Sequence, residues 1–408
     1  MKNILITLSF IFCFACKNEK HQKTYSVSKE NNTTVLKSID KELDSLYALG
    51  IFNGFTATIV DSTGIVYNKG FGYADINTKK SYTEQTIINI ASISKMYIGV
   101  ALLKAQDMGL LNLDDPINKY LPFAVVNPNF PDEIITIRQL TTHTSSIVDT
   151  DTYLGTAYAN KDDVALTEDL KRYSTYYQNP SSHWMPLAGY MQEVLKPDGN
   201  FYTASVFANR KPGTLFEYSN VGAALCGLII EYASVKPFNE FTKTHIFQPL
   251  QMSATGWFFE EVNVANYSKL YFDELELPYY KILSYPDGGL ITSSTDMGKF
   301  LVDLIQGYSG NGSILSQTGY KELFKSQLNE VAFREKKDFN VGIFTEKQLA
   351  YNVIGHTGGD PGTNTMLFFN TETKTGRIFM TNTDSKKENS YPVMWSIWDA
   401  IGRYGAEQ

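Results

Sequence analysis

The chain has 408 residues, a formal net charge of −7, 43% hydrophobic and 19% charged residues. That is enough apolar material for a sizeable core, so general disorder is excluded, and the acidic balance disfavours a nucleic-acid partner. Three cysteines are too few for a disulfide framework.

Lys2 precedes an apolar or small-residue run, Ile4 to Ala15, that is too short to span a bilayer as a mature helix. The run ends at Cys16, and the chain turns polar at Lys17-Asn18-Glu19-Lys20. This resembles a bacterial lipoprotein signal over residues 1–15, with Cys16 as the lipid carrier and residues 16–33 as a polar tether. An ordinary secretory signal is the alternative. It lacks a clean A-x-A cleavage site, while Cys13 stands where a lipoprotein signal usually has leucine. The expected location is the cell envelope, anchored to a membrane by the lipid and facing the periplasm or exterior.

Val35, Ile39, Leu43 and Leu46 recur near helical spacing, which predicts a helix over 34–49 stopped by Gly50. The runs 55–60 and 65–67 flank Asp61-Ser62-Thr63-Gly64 and read as a hairpin. Helical periodicity returns over 93–109. Residues 110–285 read as mostly helical and irregular, with helices expected over 136–142, 219–233 and 238–247. Strands come back after 350, where 366–369 and 377–380 flank a polar turn, and a helix over 389–404 closes the chain. The pattern predicts an α/β fold of the α+β sandwich type. One antiparallel sheet is built from both chain ends, over 34–100 and 286–405, and flanked by terminal helices; the insertion over 101–285 is mostly helical. Cys226 sits in an apolar helical run and reads as core.

Three short motifs carry chemistry. The first is Ser92-Ile93-Ser94-Lys95. If a helix starts near Ser92, serine and lysine share a face one turn apart. A lysine that loses its charge by burial can take the hydroxyl proton, and helix N-terminal amides can face an oxyanion. The ordinary reading of S-x-x-K is a solvated helix turn, and that reading holds for Ser26-Val27-Ser28-Lys29 in the tether. At Ser92 the strongly apolar run that follows favours the chemical one. The second motif is Tyr218-Ser219-Asn220, either a helix cap with a packed tyrosine or a phenol and an amide placed at a loop-to-helix junction. The third is Gly355-His356-Thr357-Gly358-Gly359, either a glycine-rich turn or a strand edge lining a cleft. Lys374-Thr375-Gly376 lies between two apolar runs and reads as a hairpin turn.

In order and spacing, these motifs resemble the serine β-lactamase and penicillin-binding-protein superfamily. The resemblance covers roughly residues 35–405, with Leu140 to Ser145, Pro212-Gly213-Thr214 and Gly288 to Ser293 in support. It points to the branch of class C β-lactamases, serine DD-peptidases and related esterases. The resemblance implies a β-lactamase/transpeptidase-like fold, no cofactor, Ser92 as acylated nucleophile, Lys95 as its activator and Tyr218 as proton shuttle. Asn220 would contact the acyl amide, and Gly358 would lie with His356 and Thr357 along the substrate strand. The amides of Ser92 and Gly359 would form the oxyanion hole. His356 and Thr357 stand where class C β-lactamases carry Lys and Thr, and His-Thr-Gly with Tyr-Ser-Asn looks most like serine DD-carboxypeptidases. The expected activity is therefore that of a D-alanyl-D-alanine carboxypeptidase, or hydrolysis of related D-amino-acid peptides. Its partners would be a small-molecule or peptide substrate, such as a peptidoglycan stem peptide, and the membrane. A small-ester esterase, a class C-type β-lactamase and a catalytically idle peptidoglycan-binding protein are the alternatives. His143 is expected to be structural and to sit on a helix, and His21, His183 and His245 lack metal-ligand spacing. The aromatic-rich stretch 147–211, with Tyr153, Tyr158, Tyr176, Tyr177 and Trp184, is expected to wall the cleft or to pack on the helical part.

Overall fold

The hairpin begins with Gly54–Asp61 (β1), whose first seven residues are buried. A strand buried on both faces belongs in the middle of a sheet, and β1 lies there. It pairs on one side with Gly64–Asp75 (β2), which continues to the short edge strand Lys80–Ser81 (β3). On its other side β1 pairs with a strand from the far end of the chain. The C-terminal strands are Phe339–Val341 (β4), Glu346–Gln348 (β5), Val353–Asp360 (β6), Thr363–Asn370 (β7) and Gly376–Thr381 (β8). All pairings in this eight-stranded sheet are antiparallel, in the order β4-β5-β6-β7-β8-β1-β2-β3. The two chain ends meet at β8–β1, with Phe55 opposite Thr381 and Ile59 opposite Arg377. The structure, a computed structural model, describes residues 32–165, 167–173, 179–329 and 338–406. The signal, Cys16, most of the tether, His21, Ser26 to Lys29, Tyr176 and Tyr177 lie outside the described residues.

Side-chain alternation sorts the sheet into two cores. Phe55, Ala57, Ile59, Met366, Phe368 and Phe379 face the terminal helices Asn32–Tyr47 (α1) and Ser390–Ala406 (α6), where they meet Ile39, Leu43, Ile397 and Trp398. Val60, Leu367, Phe369, Ile378 and Met380 face the other way. They join the larger core with Ser94–Asp107 (α2) and Ser294–Tyr308 (α5). The polar turn from Asn370 to Gly376 connects β7 to β8, and Lys374 there takes a left-handed φ of +57°.

The middle of the chain is made of helices and irregular stretches, with some strand pairing that the sequence pattern did not suggest. It holds two short strand pairs, Tyr158–Asn160 with Tyr280–Ile282 and Leu270–Phe272 with Leu275–Leu277. Each has three residues, too few for period-2 alternation to stand out from irregular chain. The expected helices are present as Ile137–Thr141 (α3) and Asn220–Ser234 (α4), with the expected 238–247 helix divided into an α-helical turn, Phe238–Thr242, and a wider turn over Lys243–Phe247; further helices lie at Asp151–Thr156, Glu168–Tyr173 and Leu187–Leu195. Among the described residues no single helix is long and apolar enough to cross a membrane.

Candidate active site

Ser92 is not itself the start of the α-helix but lies two residues before it. It lies in a 3₁₀ turn, Ala91–Ile93, and α2 starts at Ser94. Ala91, just before the serine, takes a left-handed φ of +49°. A conformation that disfavours any side chain is tolerated only where neighbours hold it, and here they do. Ile90 N donates to Leu290 O at 2.9 Å, and Thr365 Oγ1 donates to Ile90 O at 2.9 Å.

Lys95 is fully buried in the first turn of α2. Its Nζ is 2.7 Å from Asn220 Oδ1, 2.6 Å from the Asp287 carbonyl oxygen and 3.2 Å from Ser92 Oγ. Burial lowers its pKa below the lysine range, against the pull of Asp287, Asp149 and Asp360. The contacts suit a neutral amine. Two N–H bonds are used by Asn220 Oδ1 and the Asp287 carbonyl, which only accept, and the lone pair is left for the serine hydroxyl. Tyr218 packs its ring 5.0 Å from Lys95 Nζ and sets its phenol beside Ser92. Burial lifts its pKa well above 10, so it is a phenol at neutral pH.

The second motif is held by two residues with different histories in the sequence. His143 is not on a helix. It follows α3 in a left-handed turn with φ +54°, stacks on Tyr218 at 4.5 Å and accepts the Ser219 N–H on Nδ1 at 3.1 Å. Ser146, three residues on, also takes a left-handed φ of +66°. Asp149 was missed altogether. Its carboxylate accepts from Asn220 N at 2.8 Å, Val221 N at 3.0 Å and Asn220 Nδ2 at 2.8 Å. Since a carboxylate only accepts, Asp149 fixes the Asn220 amide with Nδ2 inward and Oδ1 toward Lys95. The available signal was an acid 71 residues before Asn220, which no local pattern links to a helix cap. Asp149→Ala should cost about 1–2 kcal/mol by removing an α4 N-terminal acceptor, read as a lower urea midpoint. It should also slow the chemistry at Ser92, because Asn220 is no longer oriented.

The third motif lies on β6. Gly358 packs against the nucleophile's turn so closely that an added Cβ would stand 2.4 Å from Ile90 O. This contact brings β6 beside Ser92, with Gly359 exposed and Thr357 half-buried next to it. His356 is buried, and its Nδ1 donates to Thr357 O at 2.5 Å. Burial pulls its pKa down to about 3, so it is neutral at pH 7. Two further acids border the site. Asp287 is buried, bonded by Tyr153 OH, and pushed up to about 6 by burial. Asp360, at the end of β6, accepts from Tyr158 OH at 2.5 Å and is pushed up to about 7 by burial and by Asp287. The described part of the aromatic stretch therefore does more than pack, since Tyr153 and Tyr158 hold these two acids. Among the described residues no three histidines, cysteines or acids are grouped to hold a metal ion. Cys226 is buried in α4.

A serine, a buried lysine and a phenol in contact, bordered by a sheet strand, define a class of serine hydrolase, and the comparisons agree. The family model Beta-lactamase matches residues 48–393, and the chain belongs to that family, within the serine β-lactamase and penicillin-binding-protein superfamily. It is 26% identical over 380 residues to penicillin-binding protein 4* of Bacillus subtilis, covering 87% of this chain and 74% of that protein. The chain spans 63% of the length of another relative, Protein flp of Staphylococcus aureus, at 25% identity over 85% of this chain. Two solved structures share the fold. The octameric penicillin-binding protein homologue from Pyrococcus abyssi gives a TM-score of 0.70 at 23% identity, covering 90% of this chain and 77% of that one. The D-amino acid amidase from Ochrobactrum anthropi SV3, complexed with L-phenylalanine amide, gives 0.66 at 20% identity, covering 91% and 99%.

Proposed function

We propose that the protein hydrolyses amide or ester bonds of D-amino-acid peptides through an acyl-serine, and that a lipid on Cys16 holds it to the cell envelope. D-alanyl-D-alanine carboxypeptidase activity is one member of this class. The carrying observation is the contact of Lys95 Nζ with Ser92 Oγ at 3.2 Å, made by a fully buried amine whose other two contacts are acceptors. Ser92 Oγ attacks the substrate carbonyl carbon as its proton passes to Lys95 Nζ. The Tyr218 phenol donates a proton to the leaving nitrogen or oxygen, the old bond to carbon breaks, and the lysine proton restores the phenol. Water then attacks the acyl-serine, giving its proton back through the same groups, and the acid leaves with Ser92 regenerated. The backbone amides of Ser92 and Gly359 would receive the negative oxygen that develops at each stage. The Ochrobactrum neighbour is named a D-amino acid amidase, which supports amide bonds of D-amino acids as the substrate class.

The test is covalent labelling. A fluorophosphonate should add to the Ser92 peptide by mass spectrometry, and Ser92→Ala should lose about 10³-fold or more of p-nitrophenyl butyrate turnover while remaining folded. An unlabelled Ser92, or ester turnover unchanged in Ser92→Ala, overturns the reading.

A further inference from the structure

We propose that Asp360 selects substrates carrying a free α-ammonium group on the acyl side of the scissile bond, so that the preferred substrates are amides, peptides or esters of an amino acid with an unblocked amine. This rests on the acyl-serine reading above and adds the substrate class to it.

The argument starts from the charges that border Ser92. Lys95 is committed to Asn220, Asp287 and the serine. The histidine on the substrate strand is neutral and turned onto its neighbour's carbonyl. Neither group is a spare cation for a substrate carboxylate. Three carboxyl groups act on Lys95 from around the site, those of Asp287, Asp149 and Asp360. Their situations differ. Asp149 is occupied by the start of α4. Asp287 is buried and bonded by Tyr153. Asp360 remains partly exposed, one residue past the exposed Gly359.

Its placement is specific. Tyr158 holds Oδ1. Oδ2 turns toward Gly288 and lies 3.4 Å from where a Cβ on that glycine would stand, with the Ala91 carbonyl carbon 3.9 Å from the same point. Ala91 is the residue before the nucleophile. The carboxyl group thus sits beside the nucleophile's turn, and Gly288 contributes no side chain to cover it. An acyl group held on Ser92 and laid along β6 would bring a substituent on its α-carbon toward this carboxyl. Burial and the charge of Asp287 make ionisation of Asp360 costly unless a cation stands beside it. An ammonium docked there offsets that cost, as a desolvated carboxylate gains most from a paired cation. Tyr158, Asp287, Lys95 and Tyr267 are the other titratable groups acting on or influenced by it.

The experiment compares D-phenylalanine p-nitroanilide, N-acetyl-D-phenylalanine p-nitroanilide, a diacetylated Lys-D-Ala-D-Ala peptide and p-nitrophenyl butyrate at pH 7. The expected result is a kcat/KM at least tenfold higher for the free amine than for its N-acetyl form. In Asp360→Asn, which preserves size and the Tyr158 hydrogen bond, that ratio should fall to within about threefold of one. A wild-type preference for the acetylated anilide, or a ratio unchanged in Asp360→Asn, overturns the proposal. So does turnover of the diacetylated peptide well above that of the free-amine anilide. In each of these cases butyrate turnover that depends on Ser92 leaves the acyl-serine reading standing. Absence of both butyrate turnover and a Ser92 adduct removes that reading, and this inference with it.

Discussion

Lys95→Met is expected to slow fluorophosphonate labelling of Ser92 by about 10³-fold or more, the scale of losing the general base that activates a nucleophile. Methionine matches the length and apolar stem of lysine but has no lone pair on nitrogen to receive the serine proton. It also leaves Asn220 Oδ1 and the Asp287 carbonyl without their donor. Two unsatisfied acceptors cost about 1–3 kcal/mol each, so the variant should melt earlier. Removing a desolvated amine offsets part of that cost. The two effects are separated by measuring labelling well below the variant's melting temperature. Labelling within tenfold of wild type would show that Ser92 is activated by some other group. The pH profile gives a second readout. A base works only when unprotonated, so the acidic limb of kcat/KM should lie below the ordinary lysine value of about 10.4, in the direction that burial moves Lys95.

Gly358→Ala should cost about 2–3 kcal/mol of stability and about 10²-fold in kcat/KM, the scale of a small misplacement at the reacting atoms. The added Cβ would stand 2.4 Å from Ile90 O, 2.5 Å from Thr365 Oγ1 and 3.1 Å from Ala91 Cβ. The nearest of these is backbone, which cannot rotate away. Either β6 or the turn carrying Ser92 must move, and the catalytic cleft is formed between them. Gly359→Ala is the control for stability, because its Cβ would meet nothing nearer than Asn364 Oδ1 at 3.5 Å. Equal melting temperatures for the two variants would refute the close-approach argument.

Much of this arrangement was legible in the sequence because it is written in short, strongly patterned segments. The terminal helices and the strands around the sheet centre carry clear periodicity, and the antiparallel sheet from both chain ends follows from it. The motifs at Ser92, Tyr218 and His356 were legible because each packs its functional groups within a few residues. What was hidden depends on distant pairing. Asp149 acts on a helix 71 residues away, and Asp287 reaches Lys95 through a backbone oxygen that any residue could supply. Asp360 matters through Tyr158, 202 residues earlier. The location of His143 was misjudged because the helix before it has only five residues, and its left-handed turn is an αL site that histidine tolerates better than most side chains.

The pairing of β1 with β8 has a bearing on how the chain is made. Gly54 O waits for the hydroxyl of Thr381, 327 residues later, and Glu42 on α1 for Arg403 on α6. The ribosome delivers the two halves of this strand pair more than three hundred residues apart, β1 well before β8. Until the last segment emerges, β1 has an open edge and its apolar face lacks α6, so premature stops remove the middle of the sheet rather than trim its border. Strand pairs this far apart in the chain form late and slowly, and the apolar edge of β1 stays open to wrong partners in the meantime.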